Sequence, residues 1–520
     1  MTTDSSNPPT GAGSKPALRR SLKTWAAVSL SIAAMGASLA INLNPQGAGA
    51  TVGRAVPLTF VLATAGVLLV AYGFARVCSR LSHAGSVFGL TGATIGPRAG
   101  VVAGWTLLGA YLSFIVTTAM TAGIFGADLL RVLGLYNKTP DIVPWLLAIV
   151  TVIIALALGL SPIKQSAKVL LWIEIVTLAL IVIIMAVIVV RVATVGGPTG
   201  QKFTLDMFTV PQGVAPSDLF LGVVFGFLSF AGFEASAALG EEAENPKKAI
   251  PRAVFAVPLF GGLFYIIGTA VQMLGFGTDK AGVTAFSGSA SLFGDLGQQY
   301  IGPWVGGVVT LGTAVSAVGC CLATAVAAAR LLFAMNRGLV GDRGLSHLSK
   351  RSGAPTSATY VVCAIAVVVI IGTRLFFTTK AFDLFAASGT IGTLVLLVAY
   401  ALFSVGAWYF LVIRSPKLHG LKAAPLDYVL PVLGVALIAY TMFRNLVPWP
   451  TTGAGQANVY IAGIWTLIVL AVIVIRPAVA RRVAASLRAD DGLIIERVAE
   501  AVETGSDAPA GAEKPSPQTL

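Results

Sequence analysis

The sequence predicts an all-α integral membrane protein of twelve transmembrane helices, and three observations carry that prediction. Mean hydropathy is +0.85, and only 11% of the 520 residues are charged, against about a quarter in an average soluble domain. Such a chain cannot hide its apolar surface in one soluble core. Apolar runs recur that reach the roughly 20 residues a helix needs to cross about 30 Å of hydrocarbon, and the alternation of a transmembrane barrel is absent. The basic residues are also sorted by side: with the N-terminus inside, inner lysines and arginines outnumber outer ones by more than two to one, as the positive-inside rule requires. This sorting accounts for the net charge of +13 without a nucleic-acid partner, and an even number of spans places both termini in the cytoplasm.

Taken in order, the expected spans cover approximately 25–44, 56–78, 99–130, 143–160, 168–191, 216–239, 253–276, 303–335, 357–374, 383–412, 427–446 and 458–476. Together they form a transmembrane unit over 23–476. Residues 1–22 and 485–520, rich in Pro, Gly, Ser, Ala and charge, are expected to be disordered cytoplasmic tails. The first apolar segment lacks a small-residue cleavage site, so it is expected to be a permanent span, not a removed leader. Cys78, Cys320, Cys321 and Cys363 lie in or beside apolar runs and are expected to pack as small residues. His83, His347 and His419 are far apart in polar connections, which leaves little from which to build a metal site.

Two spans interrupt their own helical pattern. The first reads "SIAAMGASLAINLNPQGAG", with Gly36 at its middle and Asn42, Asn44 and Pro45 toward its outer end. The sixth reads "GVVFGFLSFAGFEASAALG", with Gly232 and Glu234 at its middle. Glycine relaxes the backbone there, and lost ladder bonds leave free N–H and C=O groups at membrane depth, which persist only where something polar meets them. Interrupted helices five spans apart point to two inverted five-helix repeats with a binding site at the bilayer midplane. Half-helix N-termini attract a carboxylate and freed carbonyls attract an ammonium group. A free amino acid has both. Helix packing through small residues is the competing reading of the same glycines.

The stretch "GFEASAALGEEAENPKKAIPRAV" resembles the signature of the amino acid–polyamine–organocation (APC) transporter superfamily, and further similarities follow in order. "SHAGSVFGLTGATIGPRAGVVAGW" resembles the connection between the family's second and third spans. "AAARLLFAMNRGLVGDRGLSHLSKRSGAPTSA" resembles that between the eighth and ninth, and "SGTIGTLVLLVAYALFSVGAWYFLVIR" is similar to the tenth span. The resemblance covers roughly residues 25–475. It implies a leucine-transporter-like core of 5+5 inverted repeats, about 25–191 and 216–412, with discontinuous helices 1 and 6 and peripheral helices at about 427–476. It also implies amino acid permease activity by alternating access. Carried over, the carboxylate of a substrate would meet the backbone N–H groups of Ala34, Met35, Gly36, Ala37 and Ser38, and its amine would meet the carbonyls of Ser229, Phe230, Ala231, Gly232 and Phe233. Phe230 or Phe233 would also be a gate. The sequence departs from the family at Gly36-Ala37-Ser38, where many members have Gly-x-Gly.

Glu234 and Glu174 are the candidates for proton coupling, because an ionisable group at membrane depth is costly and usually faces a cavity. Glu234 either senses protons or caps backbone N–H groups. Some family members use a fifth-span lysine at a cation site, and here no lysine lies deeper than Lys168; Glu174 either replaces that lysine or packs as a structural acid. Thr313, Ser316 and Thr324 of the eighth span either offer hydroxyls to sodium or bond back to their own helix turn, and the second reading is preferred. Tyr111 and Tyr265 either line the pathway or pack. Glu241, Glu242 and Glu244 with Lys247, Lys248 and Arg252 form a mixed-charge inner loop, a gate or helix brace by resemblance. No phosphate-binding loop, nucleophile elbow or metal cluster is visible, which argues against an enzyme, a bound cofactor and ATP-driven transport. The expectation is a secondary active permease of the cytoplasmic membrane, taking up a neutral amino acid with a proton. The alternatives are a polyamine permease or amine exchanger of the same fold, or a non-transporting nutrient sensor.

Overall fold

The structure, a computed structural model, describes residues 35–81, 87–136, 139–161, 166–234, 246–340, 355–416 and 422–476, together with Ile32 and Ala478. The expected tails, the mixed-charge loop from Glu241 to Glu244 and all three histidines lie outside the described residues. Helices follow the apolar runs: α1 (Ala37–Val52), α2 (Val56–Arg80), α3 (Val87–Thr94), α4 (Pro97–Val132), α5 (Val143–Leu160), α6 (Ser166–Thr194) and α7 (Leu219–Phe230). They continue with α8 (Pro246–Phe276), α9 (Lys280–Gly288), α10 (Leu292–Tyr300), α11 (Pro303–Val340), α12 (Thr356–Phe376), α13 (Ala381–Tyr409), α14 (Pro425–Leu446) and α15 (Gly453–Ile475). No strand occurs among the described residues.

Among the described residues, ten stretches are long and apolar enough to cross a bilayer, against the twelve spans expected of the whole sequence. The difference arises at the two interrupted spans. Ala37–Arg80 forms one apolar stretch of 44 residues, because α1 passes through the short 3-10 turn Gly53–Ala55 into α2. The described helix of the sixth span ends at Phe230, so Pro216–Phe230 is too short to count as a full crossing, and residues 235–239 of the expected span lie outside the described residues. The short helices α3, α9 and α10 were not expected, since eight or nine residues are too few for periodicity to declare a helix.

Packing brings together elements five spans apart: α1 lies on α7, α2 on α8, and α4 on α11. This pairing is the arrangement that an APC-type core requires, and it places the first and sixth spans side by side. α1 runs eight residues past the expected end at residue 44, through Pro45. Proline has no N–H for the carbonyl four residues earlier, and that carbonyl, on Ile41, accepts instead from Gln272 Nε2 of α8 at 2.7 Å. The neighbouring asparagines also bond outward. Asn42 Oδ1 accepts from the Phe293 N–H at 2.6 Å, and Asn44 Nδ2 donates to Ser229 Oγ at 2.8 Å.

The outer helices are tied in by aromatic and polar contacts. α15 is little buried, yet Trp465 stacks on Trp105 of α4 with ring centroids 4.7 Å apart, and each indole N–H donates to the other residue's carbonyl at 3.0 Å. Gly109 makes room for this, since a Cβ there would stand 2.2 Å from Trp465 Nε1. α14 is tied to α2 through Asp427, which is fully buried. Its carboxylate accepts from Arg76 Nε at 2.8 Å and Nη2 at 2.7 Å, from the Tyr72 hydroxyl at 2.8 Å and from the Ala424 N–H at 2.9 Å.

Two stability predictions result. Asp427→Ala strips four donors of their acceptor and should cost roughly 2–3 kcal/mol, less than a fully buried pair because Arg76 keeps some exposure; thermal unfolding of purified protein in detergent reads it as a lowered midpoint. Gln272→Leu leaves the Ile41 carbonyl beside Pro45 without its donor and should cost about 1–3 kcal/mol in the same assay.

Candidate functional site

The first break is set by Gly36, whose φ of 56° and ψ of 55° are left-handed, a conformation that glycine adopts without steric cost. α1 begins immediately after it, so its first N–H groups have no partner within the helix. One of them is met from the fifth span. The Ser38 N–H donates to Glu174 Oε1 at 2.9 Å, and Ser38 Oγ donates to Glu174 Oε2 at 2.7 Å. Ser316 of α11 hydrogen-bonds the same carboxyl group. Glu174, on α6, is 3% exposed, so its carboxylate sits in the interior, against the positive end of the α1 dipole.

The second break follows Phe230. Ala231 turns to an extended ψ of 126° and Gly232 takes φ of 102°, again open only to glycine at low cost. Here too a carboxylate covers the freed main chain: Glu234 Oε2 accepts from the Gly232 N–H at 3.1 Å and from the Tyr400 hydroxyl of α13 at 2.8 Å. The Tyr111 hydroxyl of α4 approaches Oε1 at 3.4 Å. The Ser229 carbonyl, released as α7 ends, accepts from the Tyr265 hydroxyl of α8 at 2.8 Å. Glu234 thus fastens the break in the sixth span to the third and tenth spans.

The two breaks meet at Gly261 of α8. A Cβ on that glycine would stand 2.9 Å from Met35 Cε and 3.4 Å from Phe230 Cε1, and Phe230 lies edge-on to Tyr265 with centroids 5.2 Å apart. Phe233 packs edge-on against Phe74 and Tyr400 at 5.9 and 5.7 Å. Of the sequence-predicted residues, Met35, Gly36, Ala37, Ser38, Ser229, Phe230 and Phe233 are buried, while Ala231 and Gly232 are half-buried; Ala34 lies outside the described residues. Thr313 and Thr324 bond back to carbonyls of their own helix, as preferred from the sequence, whereas Ser316 departs from that reading by serving Glu174. Cys78, Cys320, Cys321 and Cys363 are buried.

Sequence reasoning missed Tyr400, Gln272 and the pairing of Ser38 with Glu174. Tyr400 lies in a long apolar run whose periodicity gives a hydroxyl no special weight. The departure from Gly-x-Gly at Ser38 was the visible trace of the third, since the serine hydroxyl at that position is what holds Glu174 Oε2.

Comparison with known proteins agrees with this architecture. Residues 27–482 match the amino acid permease family. The low-affinity putrescine importer PlaP of Escherichia coli (strain K12) is 26% identical over 42% of this chain, and the match spans 46% of that importer, less than half its length. The branched-chain amino acid permease BcaP of Bacillus subtilis (strain 168) is 24% identical over 66% of this chain and 72% of its own. Its namesake from Lactococcus lactis subsp. cremoris (strain MG1363) is 25% identical over 83% of this chain and 89% of its own. With its multiple apolar helices and a match over nearly its whole membrane unit, this chain is a multi-pass membrane protein that belongs to the amino acid permease family of the APC superfamily.

Proposed function

We propose that the protein is a secondary active transporter of the cytoplasmic membrane that takes up a neutral amino acid together with a proton by alternating access, with both termini inside. The observation that carries this reading is the pair of facing breaks at Gly36 and Gly232, each exposing main-chain groups and each carrying a buried carboxyl group. In this reading the substrate carboxylate is held by the N–H groups at the start of α1, and its ammonium by carbonyls at the end of α7. Glu174 and Glu234 are the charged side chains that reach the breaks among the described residues, which fits a substrate of zero net charge better than a dicarboxylic one. The relatives named for branched-chain amino acids support the same class.

Glu234 is, with Glu174, a proton site of this reading, and it is the gate tie. Protonated, it holds both donors to Oε2, the Gly232 N–H and the Tyr400 hydroxyl, less tightly, because a neutral carboxyl accepts a hydrogen bond less strongly than a carboxylate. That loosening lets the sixth span move relative to the third and tenth. A second reading, a carboxylate-free amine such as the one in the name of the PlaP relative, draws on the fact that the Ser38 N–H already holds an internal carboxylate.

Uptake by purified protein in liposomes, against radiolabelled amino acids and amines with pH gradient and sodium varied independently, tests the proposal. The expected result is accumulation of a neutral amino acid driven by an inward proton gradient and indifferent to sodium. Uptake of diamines alone would favour the second reading, and no uptake of any amino acid or amine would overturn both. Glu234→Gln should lower proton-driven uptake by roughly tenfold or more, and Tyr400→Phe by somewhat less, the scale of one charged hydrogen bond. A Glu234→Gln protein with the wild-type pH profile would remove Glu234 from the proton pathway.

A further inference from the structure

We propose that Glu174 is a tethered competitor for the substrate's carboxylate: it occupies the Ser38 N–H in the empty protein, and the substrate takes that N–H as Glu174 accepts a proton and withdraws. The inference rests on the reading that a carboxylate-bearing substrate is anchored at the start of α1.

Glu174 is placed as a ligand would be, not as a helix cap usually is. Caps are supplied by short polar side chains beside the helix start, whereas Glu174 reaches in from α6, 136 residues away in sequence. Its two oxygens engage one main-chain N–H and one hydroxyl of the same residue, Ser38, at 2.9 and 2.7 Å, so the group already seated on this half-helix is a carboxylate, the chemical species that an amino acid would bring. An isolated buried carboxylate is expensive unless a cation pairs with it, and among the described residues no lysine, arginine or histidine forms an ion pair with Glu174.

The groups that surround it leave the proton to Glu174. From α8 the titratable neighbour is Tyr265, whose hydroxyl is committed to the Ser229 carbonyl. From α11 they are Cys320 and the non-titrating Ser316. α1 contributes Ser38, and the acid of α10, Asp295, is turned to Ser289 and Arg131 instead. A second carboxylate arriving at the same N–H meets an unneutralised like charge, and of two carboxylates sharing a site one is driven to protonate. The proton comes from water and goes to a Glu174 oxygen; the neutral carboxyl keeps its hydroxyl partners and yields the N–H to the ionised substrate. Substrate and proton then bind together because they share one donor, and by linkage each tightens the other.

The test is the pH dependence of substrate affinity in proteoliposomes, for wild type, Glu174→Gln and Ser38→Ala, each checked for a monodisperse elution profile and thermal midpoint. For wild type, KM for the transported amino acid should rise by up to about tenfold per pH unit on the alkaline side, while the decarboxylated amine, measured as an inhibitor, should show no such rise. Glu174→Gln should flatten the KM profile; Ser38→Ala, which keeps the N–H and removes one hydroxyl bond, should move the profile to higher pH without flattening it, because a carboxylate that loses a donor protonates more readily. A folded Glu174→Gln protein that retains the wild-type KM profile, or a wild-type profile equally steep for the amine, overturns the proposal. Should Glu174→Gln not fold, the Ser38→Ala shift and the amine comparison decide alone. Transport of the amino acid by wild type with a flat KM profile would sink the competition while leaving the proposed function standing; absence of amino acid transport would sink the proposed function itself.

Discussion

An unpartnered main-chain N–H or C=O in the apolar middle of a membrane costs several kcal/mol, and that cost governs the arrangement around both interrupted helices. Gly36 and Gly232 turn the backbone out of the helical ladder at positive φ, and three of the freed groups at the breaks are met by side chains. Glu174 meets the Ser38 N–H, Glu234 meets the Gly232 N–H, and Tyr265 meets the Ser229 carbonyl. A third break in the ladder, made by Pro45, is repaired by Gln272 in the same way.

These repairs determine which helices must sit together. Glu174 draws the fifth span to the first, Tyr265 and Gln272 draw the seventh to the sixth and first, and Tyr111 and Tyr400 bring the third and tenth spans to Glu234. The partners are polar side chains and not main chain. A scaffold held by replaceable hydrogen bonds at its centre, with stacked tryptophans and the Asp427 cluster fixing its periphery, suits a protein that changes shape around a small polar cargo.

Much of this was legible in the sequence. Because in lipid the helix is the one open structure that satisfies its own backbone, apolar runs of sufficient length placed most of the long helices, though α8 begins earlier and α1 ends later than the runs suggest. The interruptions were legible because Gly36 and Gly232 stood at mid-span beside polar residues, and the acid at 234 stood out against hydrocarbon. The ends of the interrupted helices were less so: α1 runs through Pro45 to Val52, and α7 ends at Phe230. Long-range partners were largely illegible. Nothing local tells that Gln272 serves a carbonyl at Ile41 or that Tyr400 faces Glu234, since those pairings exist only once the spans are packed. Ser38 and Glu174 were each visible singly, one as a departure from a glycine pattern and one as an acid in lipid, but their contact is a property of the fold.

The most direct test of the account is an experimental map of the protein with its transported amino acid bound. The account predicts a chain that leaves the helix at Gly36 and Gly232, the substrate carboxylate within hydrogen-bonding distance of the Ser38 N–H, and the Glu174 side chain withdrawn from it. An unbroken first helix, or a substrate bound elsewhere while Glu174 still holds Ser38, would contradict it.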